Sequence, residues 1–287
     1  MSEILLKDGI YQAVINDHGA ELRSFKKGDK EYMWQADPAF WARTSPVLFP
    51  FVGAVNEGKF TYKGTDYPMG QHGFARDMDF TLVDQTDNSC TYVLESGDET
   101  LAKYPLPFKL TIGYQLKEDT LTILWKVENP GKEPLEFSIG AHPAFNCNLN
   151  TSVIRIMKNG LGRPAFNNSV FGKGLLTAEK KDVPLDDGYM TLDEHSFDGD
   201  AFVIEDGQTD CVELLDADRN KVLAVSYTSP LVGIWSPPGK NAPFLCIEPW
   251  YGRADMEGFH GELSDRAWNN TLPAGSIFEE TYTIRVF

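Results

Sequence analysis

The stretch Phe244-Leu-Cys-Ile-Glu-Pro-Trp-Tyr-Gly-Arg-Ala-Asp255 begins with an apolar run that reads as a buried strand and sets a carboxylate, Glu248, at its end. Pro249 has no N–H to give to a ladder and fixes its own φ, so the strand is expected to stop there. Two aromatics and a glycine follow. A carboxylate carried by a rigid strand into an aromatic mouth can grip or deprotonate a ligand. An isolated strand-end Glu is more often solvated or paired with a lysine, so the reading depends on matching groups elsewhere.

Working outward, the chain repeats the same grammar of short β-type runs punctuated by Gly and Pro. Residues 10–15 and 21–25 flank the turn Asn16-Asp-His-Gly-Ala20, and Lys59 to Tyr67 is a hairpin around Lys63-Gly-Thr-Asp66. Lys109 to Leu116 pairs with Thr120 to Val127, residues 211–215 pair with 222–227, and Leu231 to Trp235 reads as a buried strand. The closing strand 278–287 alternates, with Tyr282, Ile284 and Val286 on one face. Only Ser96 to Tyr104, acidic early, basic late and stopped by Pro105, reads as a helix. Residues 148–196 are polar and turn-rich, and are expected to form long loops with short strands. With no repeat or linker, the pattern predicts an all-β fold, one large antiparallel β-sandwich over residues 1–287 with few short helices.

Four segments carry polar groups on unusual backbone. Leu135-Glu-Phe-Ser-Ile-Gly-Ala-His-Pro-Ala-Phe-Asn146 is a second strand interrupted by proline, with His142 before Pro143 as Glu248 stands before Pro249. Gly70-Gln-His-Gly-Phe-Ala-Arg76 packs Gln71, His72 and Arg76 onto a glycine-loosened segment, the composition of a binding loop. Trp41 to Gly53, kinked by Pro46 and Pro50, holds Arg43 against the core, and Asp200 heads an aliphatic strand.

Composition narrows the partners. The 287 residues are 42% hydrophobic and 12% aromatic, enough for a large core, and the aromatics supply flat faces on which sugars stack. A net charge of −16 repels polyanions, so neither nucleic acid nor an anionic membrane is expected as a partner. It leaves room for a small phosphorylated ligand, because screening confines such fields to about 8 Å. Four widely spaced cysteines read as buried free thiols, and no apolar run approaches the ~18 residues of a membrane span, so a cytoplasmic protein is expected.

No phosphate loop, dinucleotide fingerprint or nucleophile elbow occurs, and the two histidines and two acids lack metal-ligand spacing, so no metal is expected. A neutral substrate worked on by a carboxylate base and an imidazole acid fits the inventory.

The segments Gln71-His-Gly-Phe-Ala-Arg76, Gly140-Ala-His-Pro-Ala-Phe145, Asp200-Ala-Phe-Val-Ile204 and Cys246-Ile-Glu-Pro-Trp250, in that order, resemble the aldose 1-epimerases, or galactose mutarotase-like proteins, and within them the LacX-like subgroup. The resemblance runs from near residue 5 to the C-terminus. It implies a galactose mutarotase-type β-supersandwich that interconverts α and β anomers of a hexose without a cofactor. It implies Glu248 as base and His142 as acid, with His72 and Asp200 as sugar ligands. Gln71, Arg76 and, approximately, Arg43 correspond to residues used by hexose-6-phosphate 1-epimerases. Trp250 or Phe145 would offer an apolar wall to the ring. One departure stands out: Ala54 lies where many relatives carry an arginine after the FPxxG segment.

The partner implied is a hexose or hexose phosphate, for a monomer or homodimer. Three other readings remain open: a 6-phosphate-specific epimerase, a noncatalytic sugar-binding or sensing protein on the same fold, and a glycoside hydrolase using Asp200 and Glu248. The Glu248 carboxylate is also expected to favour a charged His142.

Overall fold

Two antiparallel sheets, one of ten strands and one of eight, organise the computed structural model, which describes residues 2–287. The ten-stranded sheet is built around Thr120–Glu128, hydrogen-bonded to Lys109–Lys117 on one side and to Ile277–Val286 on the other. The eight-stranded sheet runs Leu175–Pro184, Ala165–Gly172, Phe202–Ile204, Leu231–Trp235, Phe244–Tyr251, Ile139–Ala141, Val47–Leu48, with Ala144–Asn146 also pairing with Phe244–Tyr251. Side chains of a strand alternate between faces, and one hydrophobic cluster draws alternate residues from both sheets. Ile112, Ile123, Trp125 and Ile284 come from the first, and Ile139, Val232, Leu245 and Ile247 from the second. The sheets therefore pack face to face as an all-β antiparallel sandwich. Trp125, 1% exposed and 5.0 Å from the Tyr282 ring, sits in this layer; truncating such a side chain costs about 3–5 kcal/mol.

The alternation sorts Phe244–Tyr251 into two sets. Leu245 and Ile247 enter the main core, while Phe244, Cys246 and Trp250 join two smaller clusters on the opposite face. Glu248 has the parity of that outer face.

Three expectations are corrected. The strand does not stop at Pro249: it runs through to Tyr251, with Pro249 opposite Val232. Proline is tolerated because the neighbouring strand is itself interrupted there, between Ile139–Ala141 and Ala144–Asn146, at His142-Pro143. Residues 148–196 are not mainly loop. They contain Ala165–Gly172 and the ten-residue strand Leu175–Pro184. The latter forms the end of its sheet and is largely exposed on both faces, so it carries no apolar alternation to read. The helix is confined to Asp98–Lys103. No helix among the described residues is long and apolar enough to cross a membrane.

Candidate active site

The interrupted strands fix the central pair. Gly140 lies opposite Trp250 and Ala144 opposite Cys246, so antiparallel register leaves His142 opposite Glu248. Residues so opposed carry Cβ atoms about 4.5–5.5 Å apart on one face. The side chains meet, His142 Nε2 standing 3.3 Å from Glu248 Oε2. Pro249 lies beside the break at His142-Pro143, and Ile247 N–H donates across that break to Pro143 O at 3.3 Å.

On its other side Glu248 faces Gly233. A Cβ at Gly233 would stand 2.4 Å from the Trp250 ring, and one at Gly140 would stand 2.6 Å from Trp250 Cδ1. Two glycines on flanking strands therefore let the indole lie across the sheet beside the carboxylate. His142 is enclosed by aromatics. Its ring stacks on Trp41 at 4.7 Å and meets Trp235 and His72 edge-on, each at 5.5 Å.

These groups open on a cavity of about 350 Å³ lined by Gln71, His72, Arg76, His142, Asp200, Glu248, Trp250 and Arg253, with Trp41, Trp235, Phe171 and Leu176 among its apolar walls. That volume lies in the range of small-molecule sites. Seven of the eight residues singled out in the sequence line it. Arg43 does not: it lines an adjoining depression with Arg23 and Arg76 and pairs with Asp77 at 2.8 Å. Of the two candidate apolar walls, Trp250 lines the cavity, while Phe145 is fully buried in the main core.

Two of the lining residues hold strained backbone. His72 and Asp200 have φ of 67° and 75°, the left-handed region that non-glycine residues seldom adopt and that recurs at functional sites. His72 is tied at both ends. Its N–H donates to Gly53 O at 2.9 Å, and its Nδ1 accepts from Gly53 N–H at 3.1 Å. Because the donor is a backbone amide, Nδ1 is the unprotonated nitrogen, which makes Nε2–H the donor of a neutral ring. Arg76 is aimed by Nη2 donating to Gln71 O at 2.7 Å.

Burial governs the protonation of these groups. Glu248, 1% exposed, is pushed well above the usual carboxylate range chiefly by burial, with Asp200 adding to the rise. The Trp250 N–H opposes this but forms no well-angled hydrogen bond. His142 is pushed down to about 3 by burial first, then by Arg76 and Arg43. His72 is driven well below the usual imidazole value by burial and then by His142 and the same arginines. Burial and Arg43 bring Arg76 down to about 10. Burial thus works against the expected charged His142 and favours the neutral imidazole beside a protonated carboxyl in the free protein. Carboxylic acid plus imidazole and carboxylate plus imidazolium have the same net charge. One proton can therefore occupy either seat of the pair, Nε2 and Oε2 standing 3.3 Å apart without a well-angled hydrogen bond.

His142, Cys246 and Glu248 also bring three metal-type donors within 4.8 Å of one another. Cys246 is fully buried and its thiol is pushed well above its ordinary value by burial, which disfavours the thiolate that metal binding needs. The donor set suits proton exchange better than coordination.

Comparison with known proteins follows from this arrangement. The aldose 1-epimerase family model matches residues 2–262. The chain belongs to the aldose 1-epimerase family. Chromosomal protein LacX of Lactococcus lactis is 31% identical over 247 residues, covering 82% of each chain. A galactose mutarotase related enzyme from Lactobacillus acidophilus superposes with a TM-score of 0.93 at 32% identity, over 100% of this chain and 97% of that one. A galactose mutarotase-like protein from Lactobacillus casei gives a TM-score of 0.94 at 28% identity, with both chains fully covered.

Sequence reading passed over Trp41, Trp235 and Arg253. Nothing local marks the tryptophans, whose contact with His142 is long-range. Arg253 lay inside the opening stretch, and Glu205, its partner, directly follows the apolar strand Phe202–Ile204.

Proposed function

We propose that the protein interconverts the α and β anomers of a hexose by acid–base opening and closing of the ring, with no cofactor. The observation that carries this reading is the cross-strand pair His142–Glu248, 3.3 Å apart at the wall of a ring-sized cavity. In the reactive form the proton sits on His142. Glu248 removes the proton from the anomeric O1 hydroxyl while His142 Nε2–H donates to the ring oxygen O5. The C1–O5 bond breaks to give an aldehyde, rotation about C1–C2 presents its other face, and the reverse transfers close the ring. Base and acid each typically contribute about 10²–10⁴-fold.

The surrounding groups have matching roles. His72 offers Nε2–H to a sugar oxygen, Asp200 accepts from hydroxyls, Arg76 and Gln71 fix the rim, and Trp250 provides the apolar face for ring C–H groups. Neutral His72 suits this binding role, since a second imidazolium beside His142 would oppose its protonation. A glycoside hydrolase reading is disfavoured because the proton partner of Glu248 is an imidazole rather than a second carboxylate.

A hexose 6-phosphate is the second reading, favoured by one observation. Arg76 and Trp41 line both the cavity and the adjoining depression that holds Arg43 and Arg23. Asp77 and Glu21 already pair with Arg43 and Arg23, which leaves less positive charge for a dianion. Polarimetry of fresh α-glucose, α-galactose and their 6-phosphates, corrected for spontaneous mutarotation, tests both readings. Faster turnover of the free sugars is expected, and the absence of catalysis on any of them would leave only a sugar-binding role.

A further inference from the structure

Beside the acid–base pair, the cavity contains a buried cation that the ring-opening chemistry does not use. Arg253 is 8% exposed and lines the cavity together with the small residues Gly53, Ala54, Ala201 and Ala254, whose side chains carry no acceptor for its guanidinium. Its place is over-determined. Gly252 before it has φ of 128°, and a Cβ there would meet Ser138 Oγ at 2.2 Å. The Arg253 carbonyl accepts from Arg266 Nη2 at 3.0 Å, and Arg266 is locked to Asp255 at 2.6 Å. Asp255 N–H in turn donates to Ala54 O at 3.0 Å, which clamps the segment to the opposite lip.

The side chain is held but not satisfied. Nε lies 2.6 Å from Glu205 Oε1, yet neither atom completes a well-angled hydrogen bond. Nη1 donates to Ala254 O at 2.8 Å, and no group among the described residues takes Nη2. A guanidinium carries five N–H donors in a planar fork, and leaving them unspent in a buried site is costly unless a ligand takes them. Glu205 is 5% exposed and also accepts from Lys180 at 3.2 Å. The Arg253 charge is therefore already offset from behind, which suits the fork to neutral oxygens rather than to a phosphate dianion.

We propose that Arg253 is a specificity-determining residue that donates through its fork to two adjacent hydroxyls of a neutral hexose, with Glu205 as the positioning residue that holds it there. The proposal rests on the cavity being a sugar site, as argued above.

The test is a cycle between side chain and substrate. Anomer interconversion is measured for glucose, galactose and their 2-, 3-, 4- and 6-deoxy forms. The proteins are the wild type, R253K, and R253M combined with E205Q, which leaves no buried charge unpaired. For the parent hexose the double variant is expected to raise KM about ten-fold or more with kcat less affected, since a site built to bind a hydroxyl rejects the analogue that lacks it. For the one or two deoxy sugars missing the contacted hydroxyls, wild type and double variant should nearly coincide. R253K should fall between them and serves alone if the double variant does not fold. An equal loss on every sugar, or no change in KM, would overturn the proposal. If the wild type does not interconvert anomers, the same cycle is read from sugar-binding isotherms by tryptophan fluorescence. Binding with the deoxy pattern would then keep Arg253 and discard the anomerase, and no hexose binding by the wild type would overturn both.

Discussion

Replacing Glu248 with Gln should move activity and stability in opposite directions. Gln keeps the shape but can neither take the O1 proton nor exchange one with His142 across 3.3 Å. Losing the base should lower kcat about 10²–10⁴-fold, about 3–5 kcal/mol in the barrier. Stability should not fall with it. Glu248 is 1% exposed and its acidity is suppressed chiefly by burial. A carboxyl whose folded pKa is raised favours the folded state while both states are protonated. That advantage is lost as pH rises above the ordinary carboxyl value, because the unfolded chain ionises first. Gln carries no such penalty. The melting temperature of E248Q should match that of the wild type near pH 4 and exceed it by a margin that grows toward pH 8. Polarimetry gives the first half and thermal melts across pH 4–8 the second. Retained activity would remove Glu248 from the chemistry. A melting temperature that falls further below the wild type as pH rises would show instead that the folded protein holds a stabilised carboxylate.

Three further outcomes follow from the same geometry. Because proton exchange within the pair leaves its charge unchanged, kcat/KM should be flat across neutral pH. It should fall at the acid end as His142, pushed down to about 3, gains a second proton for the pair, and at the alkaline end as the pair loses its one; a steep slope centred near pH 6.5 would refute the shared proton. H142N should abolish interconversion and resist acid better than the wild type. A histidine with a depressed pKa gives stability that is present above about pH 6.5 and lost as pH falls toward 3, and unchanged acid melting would contradict this. G233A sets a methyl 2.4 Å from the Trp250 ring and should cost about 1–3 kcal/mol by overpacking. It should also raise KM more than it lowers kcat, and unaltered kinetics would show that Trp250 does not touch the sugar.

Much of this was legible in the chain. The alternation of the closing strand places Tyr282, Ile284 and Val286 inside, and each is 3% exposed or less. Paired X-Pro motifs marked His142 and Glu248 because proline in a strand demands a reason, and the break at His142-Pro143 supplies it for Pro249. What stayed hidden depends on distance or polarity. Leu175–Pro184 is wet on both faces and so carries no period. Trp41 reaches His142 from a hundred residues away. The protonation of the pair could not be read at all, since it is set by how completely the folded sandwich excludes water, and a sequence shows neighbours but not depth.

Because His142 reaches Glu248 through strand register, the two motifs cannot lengthen or shorten independently. Inserting or deleting one residue between Gly140 and His142 would reverse the parity of the imidazole and turn it into the hydrophobic layer between the sheets. Among descendants of such a chain, the hairpin turns far from the cavity are free to drift in length. The internal length of each proline motif is the part of the text that admits no edits.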